Sequence, residues 1–289
     1  MENILEIKNL SKSFKDFTLK NISFSLPKGF ITGFIGPNGS GKTTTIKLIM
    51  NLLKKDSGEI KVFGLDHVKH ESEVKNRIGF VYDESHFYEE LTVKEMKRTI
   101  APVYDKWDEQ QFQSYIEKFG LPQNKRIKDL SRGMKIKFSL AIALSHNADL
   151  LIMDEPTSGL DPLVRSEILD ILYALIQDEN KGVFFSTHIT SDLDRIADFI
   201  VMINDGEILF CTPKDELLEN HAVLKGSLTL LNTAGDLNLT GIRKSSYGFE
   251  ALSMDKNTTA EFANAGAVID KPTLEDIMLF YTRKEHLHV

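Results

Sequence analysis

One stretch narrows the possible folds of this chain more than any other: Gly36-Pro37-Asn38-Gly39-Ser40-Gly41-Lys42-Thr43-Thr44. It fits G-x-x-x-x-G-K-[ST], a pattern whose backbone N–H groups cradle phosphates. Residues 30–35 before it read as a buried strand. Residues 44–53 after it have helical spacing, with Ile46, Ile49, Met50 and Leu53 on one face. In that strand–loop–helix context, glycines at 36, 39 and 41 allow the close backbone approach and positive φ the loop needs. The helix N-terminus behind them adds about half a positive charge. Lys42 can then reach the β- and γ-phosphates, and the Thr43 hydroxyl can ligate Mg²⁺.

The rest of the sequence fits an α/β protein of one large domain plus a small appendage. The chain has 289 residues, of which 42% are hydrophobic, enough for a sizeable core. The net charge of −7 advertises no basic face for nucleic acid, and none is expected as a partner. The single cysteine, Cys211, rules out an intrachain disulfide and fits a reducing compartment. The first residues show neither a basic nor an apolar leader segment, and no apolar run approaches membrane-spanning length. The expectation is a soluble, intracellular chain; if it works at a membrane, another chain provides the spanning part.

Before the loop, short alternating runs at residues 4–10, 17–19 and 22–26 predict an antiparallel β layer. Phe14 within it is either an exposed ring that covers a nucleotide base or an ordinary sheet residue. After the first helix, residues 59–63 and 78–82 read as strands, with a polar helix at 68–77 between them. Asp83 ends the second strand. From there to about residue 148 little looks like strand, and helical patterns predominate. Thr92 with Glu95 forms a capping box, and Ser131 is an N-cap for a helix whose Ile136, Leu140, Ala143 and Leu144 share a face. This region, about 84–148, reads as a helical subdomain inserted into the α/β core.

Asp149-Leu150-Leu151-Ile152-Met153-Asp154-Glu155 is a continuous apolar strand ending in two carboxylates. The C-terminal end of a central strand is where doubly wound sheets place ligand chemistry. Asp154 can hold Mg²⁺ through water, and Glu155 can orient or deprotonate an attacking water. A loop through Asp161 leads to a helix opened by Pro162. Residues 182–186 form another buried strand, and His188 just past it is either a γ-phosphate contact or a plain loop histidine. Asn204-Asp205-Gly206 is a hairpin turn between two further strands. The expected boundaries are residues 1–221 for the nucleotide-binding domain and 222–289 for a small α+β unit. In the latter, residues 227–231, 247–252 and 267–269 read as strands, and a helix follows Pro272. His286 and His288 are either metal ligands or part of a loose tail.

Taken together, residues 36–44, Leu130-Ser131-Arg132-Gly133-Met134, residues 150–155, Ser158-Gly159-Leu160-Asp161 and His188 occur in an order that resembles the nucleotide-binding subunit of an ABC transporter. The resemblance covers roughly residues 1–220. It implies a P-loop ABC ATPase core with an antiparallel β layer, an inserted helical subdomain and a C-terminal appendage. It implies ATP and Mg²⁺ as ligands, transmembrane subunits as partners, and a second ATPase subunit, identical or different. Residue by residue, it implies that Phe14 stacks on adenine and that residues 36–44 bind phosphates. Asp154 and Asp83 would serve Mg²⁺, Glu155 the water and His188 the γ-phosphate, and Asp161 would belong to the nucleotide site. Ser131 and Gly133 would act on ATP held by the second subunit.

Two motifs depart from the family's usual pattern, at three residues. Arg132 and Met134 stand where it has glycine and glutamine, and Asp83 stands where it has glutamine. Similar variants are a feature of bacterial exporters with separate ATPase and membrane chains, including peptide and antibiotic exporters. That implies a subunit at the inner face of the membrane. The alternatives are a soluble ATPase of the same type acting on ribosomes or DNA, and a non-hydrolysing binding module. One phosphate loop and no sustained heptads argue against the first. Lys42, Asp154, Glu155 and His188, all present, argue against the second.

Overall fold

The computed structural model describes residues 2–82, 86–233 and 239–282; Asp83, His286 and His288 lie outside the described residues. The chain opens with β1 (Asn3–Ser13), β2 (Thr18–Pro27), β3 (Ile31–Ile35) and α1 (Lys42–Ile49). Then come β4 (Ser57–Val62), β5 (Leu65–Asp66), α2 (Glu71–Asn76) and β6 (Ile78–Val81). Three helices follow, α3 (Val93–Ile100), α4 (Glu109–Lys118) and α5 (Arg132–Ser145). Next are β7 (Leu150–Asp154), α6 (Pro162–Leu175), β8 (Gly182–Thr187), α7 (Thr190–Ile196), β9 (Phe199–Asn204), β10 (Glu207–Pro213) and α8 (Lys214–Glu219). The remainder is β11 (Ala222–Gly226), α9 (Leu228–Thr233), β12 (Leu239–Ser245), β13 (Gly248–Ser253), α10 (Lys256–Asn264), β14 (Val268–Asp270) and α11 (Leu274–Thr282).

The central sheet runs β10-β9-β3-β8-β7-β6 and is parallel except for the edge strand β10. Every residue of β3, β7 and β8 is buried, as strands covered on both faces must be. Their register fixes the site: Phe34 pairs with Ser186 and Ser186 with Asp154, so Gly36, His188 and Glu155 emerge at one edge. A second, antiparallel sheet, β2-β1-β4-β5, is the expected β layer. The two share an apolar core in which the Phe34 ring lies 5.0 Å from Phe184 and 5.7 Å from Phe24.

Between β6 and β7 the described residues form α3, α4 and α5 and no strand, as the sequence predicts. The Thr92–Glu95 capping box is present, and Ser131 Oγ accepts from the Met134 N–H at 3.3 Å. Two helices are shorter than their patterns suggest. Helix α1 stops at Ile49 because Asn51 turns into the left-handed region, with φ of 52°. The polar helix is confined to α2, since turns precede it. Helix α7 has no counterpart in the sequence reading.

The last part of the chain builds an antiparallel sheet, β12-β13-β11-β14. Leu224, Phe249 and Phe262 are among the residues that pack on one side of it. On the other side Leu252 joins Leu274, Ile277 and Phe280 of α11 in the cluster that holds Leu193 of α7. Residues 227–231, expected as a strand, instead start α9. The Ser227 carbonyl and hydroxyl both accept from the Leu230 N–H, so Ser227 acts as a helix start. Its Leu-Thr-Leu-Leu run satisfies a helical spacing as well as an alternating one. No helix among the described residues is long and apolar enough to cross a membrane.

The two sheets are locked by the phenylalanine contact. Phe34→Ala is expected to cost about 3–5 kcal/mol, read as a lower denaturant midpoint with unchanged slope; an unchanged midpoint contradicts this packing.

Candidate functional site

The phosphate loop is held open by its neighbours. Gly36 leaves β3 where a Cβ would lie 2.2 Å from the Ile203 carbonyl oxygen, so glycine is required by contact. Gly39 and Gly41 take φ of 80° and 114°, the left-handed region that favours glycine. The β9–β10 hairpin reaches over the loop: the Gly206 N–H donates to the Ser40 carbonyl at 3.0 Å, and the Gly206 carbonyl accepts from Lys20 N at 2.7 Å. Asp205 and Gly206 both have positive φ, as the expected two-residue turn requires. Gly41 caps α1, which points its unpaired N–H groups into the loop. The Ser40 hydroxyl is buried with no partner.

Lys42 is 6% exposed, and its ammonium donates to the Gly36 carbonyl at 2.7 Å and the Pro37 carbonyl at 3.3 Å. Glu155 Oε1 lies 3.5 Å away. A buried lysine is expensive unless its charge is met. Here two carbonyls and a carboxylate meet it at the place a phosphate would fill.

Asp154 is also 6% exposed, and burial pushes its carboxyl above the ordinary range, opposed by the nearby Thr43 and Ser186 hydroxyls and Lys42. Its Oδ1 nevertheless has no hydrogen-bond partner. Glu155 follows with φ of 50°, a strained conformation for a non-glycine residue, while its N–H donates to the Ser186 carbonyl at 2.9 Å. Its Oε2 accepts from His188 Nδ1 at 2.7 Å and from the His188 backbone N–H at 3.2 Å. His188 therefore meets Glu155 through Nδ1, leaving Nε2 as the ring atom available to a phosphate.

A cavity of about 640 Å³ opens over these groups, lined by Phe14, Phe17, Asn38, Gly39, Gly41, Lys42, Thr43, Thr44, Glu155, Ser158 and His188. Phe14 is 43% exposed, with its ring centroid 6.4 Å from that of Phe17. In the sequence Phe17 reads only as the start of a strand; the available signal is that it is a second phenylalanine three residues after Phe14. Gly36, Pro37 and Ser40 are not among the lining residues.

Ser131, Gly133 and Asp161 are not brought to this cavity. Ser131 caps α5, and Gly133 packs so that a Cβ would sit 3.0 Å from Val164 Cγ1. Asp161 caps α6 with one carboxylate oxygen, accepting from Leu163 N at 3.1 Å and Val164 N at 3.0 Å. Within one chain, the geometry thus collects a phosphate loop, a buried acid, a carboxylate–histidine pair and an exposed aromatic ring.

Known proteins are similar to this chain in sequence and in fold. The ABC transporter family model matches residues 19–158. The chain is 33% identical over 238 residues to the bacitracin transport ATP-binding protein of Bacillus licheniformis, covering 81% of this chain and 78% of that protein. It is 32% identical over 229 residues to the ABC transporter ATP-binding protein NatA of Bacillus subtilis, covering 75% and 92%. Among solved structures, an ATP-binding subunit of an ABC transporter superposes with a TM-score of 0.68 at 27% identity, covering 75% of this chain and 92% of that one. Relatives 32–33% identical over three quarters or more of this chain, on a fold shared with a solved ATP-binding subunit, make this chain a member of the ABC transporter family, an ATP-binding subunit with ATPase chemistry.

Proposed function

We propose that this subunit hydrolyses Mg²⁺-bound ATP to drive a separate transmembrane partner that exports peptides, antibiotics or other amphipathic compounds. The work is done at the inner face of the membrane, through that partner. The observation that carries the catalytic part is the placement of Glu155, between the Lys42 ammonium at 3.5 Å and His188 Nδ1 at 2.7 Å. The bacitracin transport relative supports the class of cargo.

The roles follow from the groups. Phosphates enter the glycine loop, and the Lys42 ammonium exchanges its carbonyl partners for phosphate oxygens, a charge-assisted contact. Glu155 orients the attacking water and takes its proton, and His188 holds the Glu155 carboxylate in place and reaches the γ-phosphate. The Thr43 hydroxyl and Asp154 would hold Mg²⁺, which neutralises charge on the β- and γ-oxygens when bound. A buried carboxylate oxygen without a partner fits that ion. Phe14, with Phe17 beside it, stacks on adenine.

Ser131 and Gly133 act on the nucleotide of a second subunit. The α5 N-terminus offers free N–H groups and positive dipole to a γ-phosphate, so ATP joins the two subunits and ADP does not. Asp161 contributes by fixing the start of α6, through which the segment after Glu155 is positioned. Residues 1–221 form the nucleotide-binding unit, with 222–289 appended.

Glu155→Gln is expected to keep ATP binding and to lower hydrolysis by about 100-fold, within the range for general-base help. Hydrolysis near the wild-type rate contradicts the role of Glu155.

Asp154 gives a test that does not depend on turnover. Its native pKa is raised by burial, so its stabilising contribution is present at acid pH, below the unfolded value. That contribution is lost as pH rises through the native value. Without nucleotide, Asp154→Asn is therefore expected to be more stable than wild type at neutral pH. Thermal unfolding should also show it losing most of the stabilisation Mg²⁺ adds to ATP. Equal midpoints at neutral pH, or an undiminished Mg²⁺ effect, contradict this assignment.

A further inference from the structure

The catalytic pair is strapped from behind by a second, buried pair. Thr157 lies two residues past Glu155, in the turn where Ser158 N donates to the Glu155 carbonyl. Asp192 lies on α7, four residues past His188. Both side chains are 1% exposed, and the Thr157 hydroxyl donates to Asp192 Oδ2 at 2.6 Å. Asp192 Oδ1 accepts from Arg165 Nε of α6, and Arg165 Nη2 donates to Ser191 Oγ at 2.8 Å. The buried charge of Asp192 is thus met on both oxygens, which a carboxylate in that position requires.

The consequence is geometric. Glu155 and His188 leave neighbouring strands, β7 and β8, as separate loops. Their mutual contact, 2.7 Å between carboxylate and ring, is between partly exposed groups at a cavity mouth. The Glu155 turn is bonded to α7 itself through the Thr157 hydroxyl and the Asp192 carboxylate. Arg165 brings α6, which begins at the far end of that turn, onto the same carboxylate. Beyond the strand register and the backbone bonds of Glu155 N–H to Ser186 and His188 N–H to Glu155, one buried acid therefore ties three segments together: the one carrying Glu155, the one carrying His188, and α6.

We infer that Asp192, through Thr157, is a positioning residue for hydrolysis, holding the Glu155 carboxylate and the His188 ring in register while touching neither nucleotide nor water. This rests on the catalytic reading of Glu155. It makes the rate of the chemical step, and not the binding of ATP, sensitive to a hydroxyl that lines no part of the nucleotide cavity. Displacements of about 1 Å in a reacting constellation cost up to roughly 100-fold in rate.

The test is steady-state ATPase kinetics and ATP binding on the full chain for Thr157→Val, Thr157→Ser, His188→Ala, Glu155→Gln and the Thr157→Val/His188→Ala double variant. Thr157→Val keeps the shape and removes the donor; Thr157→Ser keeps the donor. We expect kcat to fall at least about 10-fold in Thr157→Val, with ATP affinity within twofold of wild type, and to recover in Thr157→Ser. The double variant should be little worse than His188→Ala alone, because both changes break one constellation. Thr157→Val with wild-type kcat, or effects that multiply independently in the double variant, overturn the strap. A fall in kcat and ATP affinity together, not restored by serine, assigns the pair a purely structural role and also overturns it. Full activity in Glu155→Gln would instead remove the catalytic reading on which the inference stands, whatever the Thr157 variants do.

Discussion

The interaction on which the site depends is the burial of the Lys42 ammonium among the carbonyls of Gly36 and Pro37, with Glu155 at its edge. A buried cation in that position is complementary in charge to a phosphate, the group the loop pattern predicts. The surrounding structure holds the loop open. Ile203 lies against Gly36, the Gly206 turn bonds both Ser40 and Lys20, and the fully buried strands β3, β7 and β8 set the level at which the functional groups emerge. On the proposed function, phosphate binding would rearrange a charge network that already exists, which lowers the reorganisation a reaction needs.

That network links binding to chemistry. The ammonium sits 3.5 Å from Glu155, and Glu155 is in turn held by His188. On the proposed function, phosphate oxygens would take over Lys42, and Glu155 would lose one electrostatic partner and keep the other. We propose that this shift frees the carboxylate to take a proton from water. The strained backbone of Glu155, at φ of 50°, persists because the Ser186 carbonyl and the turn through Thr157 over-determine it. Asp154, one residue earlier, is pushed toward its neutral form by burial, and the proposed Mg²⁺ would restore the balance there.

Much of this was legible in the sequence because it is carried by local patterns. The glycine loop announces itself by spacing, and the strand 150–154 by an unbroken apolar run ending in acids. Thr92 and Ser131 were readable as caps because their partners are three residues away. The rest needs distant partners. Phe17 lines the cavity only because the β layer folds beside the loop. Thr157 and Asp192 are 35 residues apart, and nothing near either one points to the other. The end of α1 was set by the left-handed turn of Asn51, and the strand expected at 227–231 became α9 because Ser227 caps it. At 227–231 an alternating and a helical spacing fit the same few residues, and the Ser227 cap decided for the helix.

The central claim is that this chain carries half of each working site, completed by Ser131 at the end of α5 in a second subunit. The direct measurement is the molar mass in solution of the Glu155→Gln chain with ATP, with ADP, and with Ser131→Glu added to the same background. The account predicts a dimer with ATP, a monomer with ADP, and a monomer with ATP once a carboxylate at position 131 opposes the γ-phosphate. A mass that does not respond to ATP, or an ATP-dependent dimer that survives Ser131→Glu, would contradict it.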